Sequence, residues 1–161
     1  MIILGIDPGL ATVGIGIIEY DAKRTFRVID YCTIETLKAS LTAERLRVIA
    51  VDLLNIIREH HPTIAVIEKL YFETNQKTAM VVSEARGVIL LTCAKEELTI
   101  VEPSPLELKL AVTGDGRADK KQMEMMLSRT LNIDLSGVPD DAVDALGLAL
   151  FGAVTREKII A

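Results

Sequence analysis

Apolar positions fall first in short runs and then at helical spacing, and this change of period lays out the elements. Residues 2–6 are a continuous apolar run that stops at Asp7-Pro8-Gly9, as a strand entering a turn does. Residues 13–20 form a second run, 21–24 have turn composition, and 26–34 are β-branched and partly alternating. Together they predict three antiparallel strands in a meander. Thr42 can cap a helix with Glu44 in its first turn, and Leu46, Ile49, Ala50, Leu53, Ile56 and Ile57 then recur at helical spacing until Pro62. Residues 63–67 read as a strand ended by Glu68. The polar stretch 71–77 leads into a long helix over 78–96, and 99–101 is a fifth strand. Ser104-Pro105-Leu106-Glu107 is a capping box with Pro at the first helical position, and that helix stops at Gly114-Asp115-Gly116. Another helix runs from near Ala118 to about Leu131. Asp140, after Pro139, caps a last helix whose apolar face is Val143, Leu146, Leu150 and Val154.

Strand–helix alternation with apolar strands implies an α/β domain whose sheet is covered on both faces, and the opening hairpin makes that sheet mixed. The order fits an RNase H-like fold with five strands, and other α/β topologies satisfy it too. With 161 residues and no repeat, low-complexity tract or linker, one domain over residues 1–161 is expected.

Half of the residues are apolar and Trp is absent, so the core must be aliphatic. The longest apolar stretches, near 88–94 and 146–154, fall short of the roughly 18–20 residues of a membrane span. No basic-then-apolar leader opens the chain. Cys32 and Cys93 form no CxxC pair and read as buried thiols of a reducing compartment, so a cytoplasmic protein is expected. The net charge of −5 argues against nucleic acid, where a basic surplus is the usual footprint. That argument weakens if several of the acids hold divalent cations.

Four acids stand where acids are costly. Asp7 follows one apolar run, Glu68 ends another, and Asp141 and Asp144 lie three apart on one side of the last helix. Strand ends beside helix starts are where α/β proteins place their sites. Converging carboxylates repel one another unless cations sit between them, and their hard oxygens suit Mg²⁺. Two such ions about 4 Å apart can activate water and stabilise the leaving oxygen of a phosphodiester. Each acid also has a plainer reading. Asp7 can be a turn former, Glu68 a strand end, and Asp141 and Asp144 partners of the helix dipole.

The motifs taken together are more specific. Ile3-Leu4-Gly5-Ile6-Asp7-Pro8-Gly9, with Thr12, Gly14 and Gly16 after it, resembles the opening of the RuvC family of Holliday-junction resolvases. Ile67-Glu68 followed by Tyr71 resembles that family's second motif, and Ser83-Glu84-Ala85-Arg86-Gly87 the segment on its dimer-forming helix. Lys109, Gly114, Gly116 and Lys120 fall in its basic third region, and Asp141-Ala142-Val143-Asp144-Ala145-Leu146 matches its closing motif. The likeness spans nearly the whole chain in order.

The resemblance implies a DNA endonuclease of recombination and repair that cuts four-way junctions, leaving 5′-phosphates. It implies that Asp7, Glu68, Asp141 and Asp144 are catalytic acids binding two Mg²⁺ ions, with Mn²⁺ able to substitute. Lys120, and with it Lys109, would face the scissile phosphate, and the neighbouring Lys121 leaves that register open by one. Tyr71, or its neighbour Phe72, would stack on a base at the junction centre. Arg86 would reach a phosphate or solvate its helix. A homodimer formed through the helix over 78–96, and a RuvA–RuvB branch-migration complex as partner, are implied as well. That helix carries Val81, Val82, Ala85, Val88, Ile89, Leu90, Leu91, Cys93 and Ala94, spread around more of its circumference than one sheet contact requires. His60 and His61, at a helix end, have no expected catalytic role.

Other readings are weaker. The Asp7-Pro8-Gly9 loop is similar to the first phosphate loop of actin-like ATPases and sugar kinases, but those need a second large domain, and no Walker-type GxxxxGK is present. A non-cutting RNase H-like binding module gains nothing from crowding acids near phosphates. A YqgF-type RNA-processing nuclease is the remaining alternative.

Overall fold

The computed structural model describes residues 1–21, 25–69 and 76–159. The opening meander forms β1 (Ile2–Asp7), β2 (Thr12–Tyr20) and β3 (Phe26–Glu35), with β1–β2 and β2–β3 antiparallel. Helix α1 (Thr42–His60) then carries the chain to β4 (Ile64–Ile67), which lies parallel to β1. Helix α2 (Gln76–Lys95) leads to β5 (Thr99–Val101), parallel to β4, and the sheet order is β3-β2-β1-β4-β5. Helices α3 (Pro105–Thr113), α4 (Lys120–Leu131) and α5 (Asp140–Ile159) complete the described chain.

The side-chain alternation of the strands sorts the core into two halves. Leu4, Ile6, Val13, Ile15, Ile17, Ala65 and Ile67 pack with Ile49, Leu53 and Ile57 of α1 and with Ala85, Ile89 and Cys93 of α2. On the other face Ile3, Ile18, Ile64 and Val66 pack against α5, with Leu108 and Val112 of α3 and Leu127 and Leu131 of α4 behind it. The sheet is therefore covered on both faces, as its two-sided apolar strands require.

The period of two also decides where the acids point. Asp7 shares the face of Ile3 and Gly5, and Glu68 continues the face of Ile64 and Val66. Ile6 pairs with Ile67 in the parallel register, so the two carboxylates emerge side by side at adjoining strand ends, both under α5.

Helix α5 lies unusually close to this sheet because three glycines leave room for its backbone. A methyl group at Gly5 would stand 2.5 Å from the Ala149 nitrogen, and one at Gly16 would stand 2.6 Å from the Leu146 nitrogen. Gly14 meets the backbone of Asp141 itself, and Gly14 is the β2 partner of Asp7. Ala142, Ala145, Ala149 and Ala153 are fully buried in the same contact. Small residues on both elements thus bring the first turn of α5 down beside Asp7.

Four local expectations change. Thr42 is the first residue of α1 and Leu41 its cap, with the Leu41 amide donating to Glu44 at 3.2 Å. Asp140 begins α5 rather than capping it, and the Pro139 carbonyl accepts from the amides of Ala142 and Val143 at 3.0 Å each. Val154 is exposed, because α5 is sandwiched between the sheet and α3–α4 along most of its length and only its end emerges. Cys93 is buried, which pushes its thiol up to about 12, but Cys32 on β3 is only half-buried. The capping box of α3 forms as expected, with the Glu107 amide donating to Ser104 Oγ at 3.3 Å and the Ser104 amide donating to Glu107 at 2.8 Å.

Candidate active site

Beneath the first turns of α5 lies a cavity of about 240 Å³. Asp7, Glu68 and Asp144 line it together with Lys109 and Lys120. Its floor is apolar, made by Leu108, Met123, Leu127 and Leu148. Two acids come from adjoining strand ends, one from the covering helix, and the lysines from α3 and the start of α4. Residues far apart in sequence thus share one pocket.

Crowding of like charge in a poorly hydrated place shows in the acids. The Asp7 carboxyl is pushed up to about 7, by burial first and then by Asp144, Asp141 and Glu68, with Lys120 opposing. Glu68 is also raised, by burial and by Asp144, and Lys109 pulls it back. Asp144 is raised chiefly by burial, with Lys120 opposing and Asp140, Asp141 and Glu124 adding to the rise. Lys120 donates to Asp140 Oδ2 at 2.8 Å, and this bond is the main reason its ammonium is held above the usual lysine range. Asp140 is therefore the partner of a cavity lysine in a solvent-exposed ion pair.

The donor chemistry fits a hard divalent cation. The acidic side chains at the cavity offer only oxygen, and a cation among them would relieve the repulsion that burial aggravates. Among the described residues no three His, Cys, Asp or Glu side chains close on one point as a finished cage. Carboxylates supplemented by water and phosphate oxygens are the usual environment of Mg²⁺ in phosphoryl chemistry.

The remaining expected site residues are distributed unevenly. Asp141 lines a neighbouring groove with Gly9, Thr12, Lys38 and Arg45, while its charge still acts on Asp7 and Asp144. Lys120 lines the cavity and Lys121 does not. Arg86 is not the solvated helix residue that one reading expects. Its side chain is only 17% exposed, its Nε donates to the Glu68 backbone carbonyl at 3.1 Å, and its Nη2 pairs with the Glu102 carboxylate. Tyr71 and Phe72 lie outside the described residues. His60 stands 3.6 Å from Asp30, and neither it nor His61 lines the cavity. No local pattern in the sequence marks Glu102, Lys38 or Arg45 as neighbours of the site acids.

A mixed five-stranded sheet with acids at adjoining ends of β1 and β4, met by acids on a covering helix, defines a nuclease of the RNase H-like class. The family model described as crossover junction endodeoxyribonuclease RuvC matches residues 3–152, and the chain belongs to that family of metal-dependent nucleases. A relative of that name from Alkaliphilus metalliredigens is 48% identical over 150 residues, covering 93% of this chain and 91% of the relative. The fold agrees. The solved structure of Thermus thermophilus RuvC has a TM-score of 0.90 at 24% identity, covering 98% of this chain and 96% of that one. The same Thermus protein in complex with a Holliday junction substrate has a TM-score of 0.91, again at 24% identity and with the same coverage.

Proposed function

We propose that this chain resolves four-way DNA junctions in recombination and repair. Working as a homodimer of single-domain subunits, it cuts one phosphodiester in each of two opposed strands. The observation that carries this reading is the cavity in which Asp7, Glu68 and Asp144 crowd together beneath α5, faced by Lys109 and Lys120. Family membership supplies the substrate class, and the junction complex of the Thermus relative supports it.

In this reading Asp7, Glu68, Asp141 and Asp144 hold two Mg²⁺ ions, and Mn²⁺ can replace them. When bound, such ions supply Lewis acidity and make water a competent nucleophile at neutral pH. The protein's own groups do the rest. The carboxylates fix the cations against rigid strand ends and a tightly seated helix. Lys109 and Lys120 offset the charge that develops on the phosphate, and the Asp140 contact keeps the Lys120 ammonium at the mouth of the cavity. Leu108, Leu127 and Leu148 exclude bulk water, which strengthens each of these interactions. A base at the junction centre stacks on Tyr71 or Phe72, the working compartment is the cytoplasm, and a RuvA–RuvB complex delivers the junction.

The test is a synthetic four-way junction incubated with the protein and Mg²⁺, Ca²⁺ or EDTA. Paired nicks at symmetric positions are expected with Mg²⁺. With Ca²⁺, which takes more ligands in looser geometry, binding without cutting is expected. Efficient cleavage in EDTA or Ca²⁺ would rule out this use of metal.

The dimer has its own test. On α2 the exposed apolar positions include Met80 at 63% and Leu91 at 56%, and Val51 of the adjacent α1 is 45% exposed. Val88 is half-buried, so Leu91 is the position at which to place a charge. Leu91→Glu is expected to give a folded monomer that fails to resolve junctions, read by light scattering, circular dichroism and the cleavage assay. A Leu91→Glu variant that remains dimeric would move the interface elsewhere.

A further inference from the structure

Strands β4 and β5 end at Ile67 and Val101, and Val66 pairs with Val101 in the parallel register. Glu68 and Glu102 are the residues that follow, beyond the last paired positions of this ladder. Arg86 reaches from α2 across both ends. Its Nε donates to the Glu68 carbonyl at 3.1 Å, and its Nη2 pairs with the Glu102 carboxylate. On the next residue the Lys69 amide donates to the Pro103 carbonyl at 2.9 Å, so the two chains stay joined where the sheet has stopped. The guanidinium is mostly buried and its charge is met by Glu102, which leaves it poorly placed to serve a phosphate. The cation that acts on the Glu68 carboxylate is Lys109 instead. Arg86 touches Glu68 through its backbone.

We infer that Arg86 is a positioning residue, which bridges the Glu68 carbonyl and the Glu102 carboxylate and thereby holds the Glu68 side chain in the cavity. The inference rests on the reading of Glu68 as a metal ligand. The direction of a side chain one residue past a strand end is set by backbone torsions that the Lys69–Pro103 bond constrains only in part. A planar fork with donors aimed at two acceptors supplies that constraint, and a single ammonium reproduces it only in part. Groups that orient metal ligands commonly matter about 10–100-fold in metal affinity or activity.

The test uses the full chain with Arg86→Met, Arg86→Lys and Glu68→Gln. Mn²⁺ binding to the DNA-free protein is followed by electron paramagnetic resonance, cleavage under single-turnover conditions, and junction affinity in Ca²⁺ at several salt concentrations. Arg86→Met is expected to weaken Mn²⁺ binding and slow cleavage by about tenfold each. Junction affinity should stay within about twofold, with an unchanged salt slope. Arg86→Lys should fold and show a smaller loss of the same kind. Unchanged Mn²⁺ affinity and cleavage rate in folded Arg86→Met overturn the inference, and the same result in Arg86→Lys does so if Arg86→Met does not fold. Weaker junction binding with a shallower salt slope overturns it too, making Arg86 a phosphate contact. Glu68→Gln separates the two readings. If it cuts at the wild-type rate, the metal role of Glu68 fails; if it is inactive while the Arg86 variants are normal, only the positioning role fails.

Discussion

Asp7→Asn should lower the single-turnover rate of junction cutting by about three orders of magnitude, equivalent to about 4 kcal/mol of barrier, while junction binding persists or tightens. Asp7 stands at the centre of the acidic group, since Asp144, Asp141 and Glu68 all act on its carboxyl. Replacing it with an isosteric amide keeps the packing under α5 but withdraws a charged oxygen from the cations. Binding should not suffer, because removing negative charge near phosphates lessens repulsion. Glu68→Gln, Asp141→Asn and Asp144→Asn should behave alike. Asp141 is the sharpest case, because it lines the groove beside Lys38 and Arg45 rather than the main cavity. A variant that binds junctions and still cuts at a rate near wild type removes its residue from the site.

Without metal, the protein should lose stability as pH rises from 5 to 8, and Mg²⁺ should restore it. In the folded chain burial and the neighbouring acids push the Asp7 carboxyl from its ordinary 3.8 up to about 7. Its folded-state value is raised, so its contribution to stability is fully present below the unfolded value and is lost as pH rises through about 7. Glu68 and Asp144 are raised in the same direction. After allowance for partial solvent screening, the loss between pH 5 and 8 should be on the order of 2 kcal/mol, or roughly 4–8 °C in melting temperature. The lowered carboxyls of Glu107 and Asp134 act with the opposite sign, but only in more acidic solution, where carboxylates of ordinary range take up protons. Thermal melts in EDTA and in Mg²⁺ at both pH values check this. Asp7→Asn in EDTA should flatten the profile and melt higher than wild type at pH 8. A wild-type melting temperature that climbs from pH 5 to 8 in EDTA would refute the assignment of strain to these acids.

Much of the fold is legible in the sequence, for local reasons. The five strands, the long helices and the α3 capping box follow from backbone preferences and from the period of apolar residues, which depend on near neighbours. The conspicuous acids were legible because a carboxylate at the end of an apolar run is expensive wherever the chain goes. Boundaries moved where two local solutions lie close in energy, as at Thr42 and Asp140. The exposure of Val154 and the half-burial of Cys32 were misjudged because burial depends on the neighbouring layer.

By itself, then, the sequence determined the order of elements and the candidate acids. It did so because side-chain period and capping chemistry act over a few residues. Tertiary structure decided how those parts meet. It set Asp7 beside Glu68 through the β1–β4 register, and it seated α5 on Gly5, Gly14 and Gly16 so that Asp144 entered the same cavity. It also sent Asp141 toward a second groove and turned Arg86 inward onto partners 18 and 16 residues away. Those outcomes depend on close packing between distant segments, where a single methyl group decides whether a helix can approach, and no local pattern carries that information.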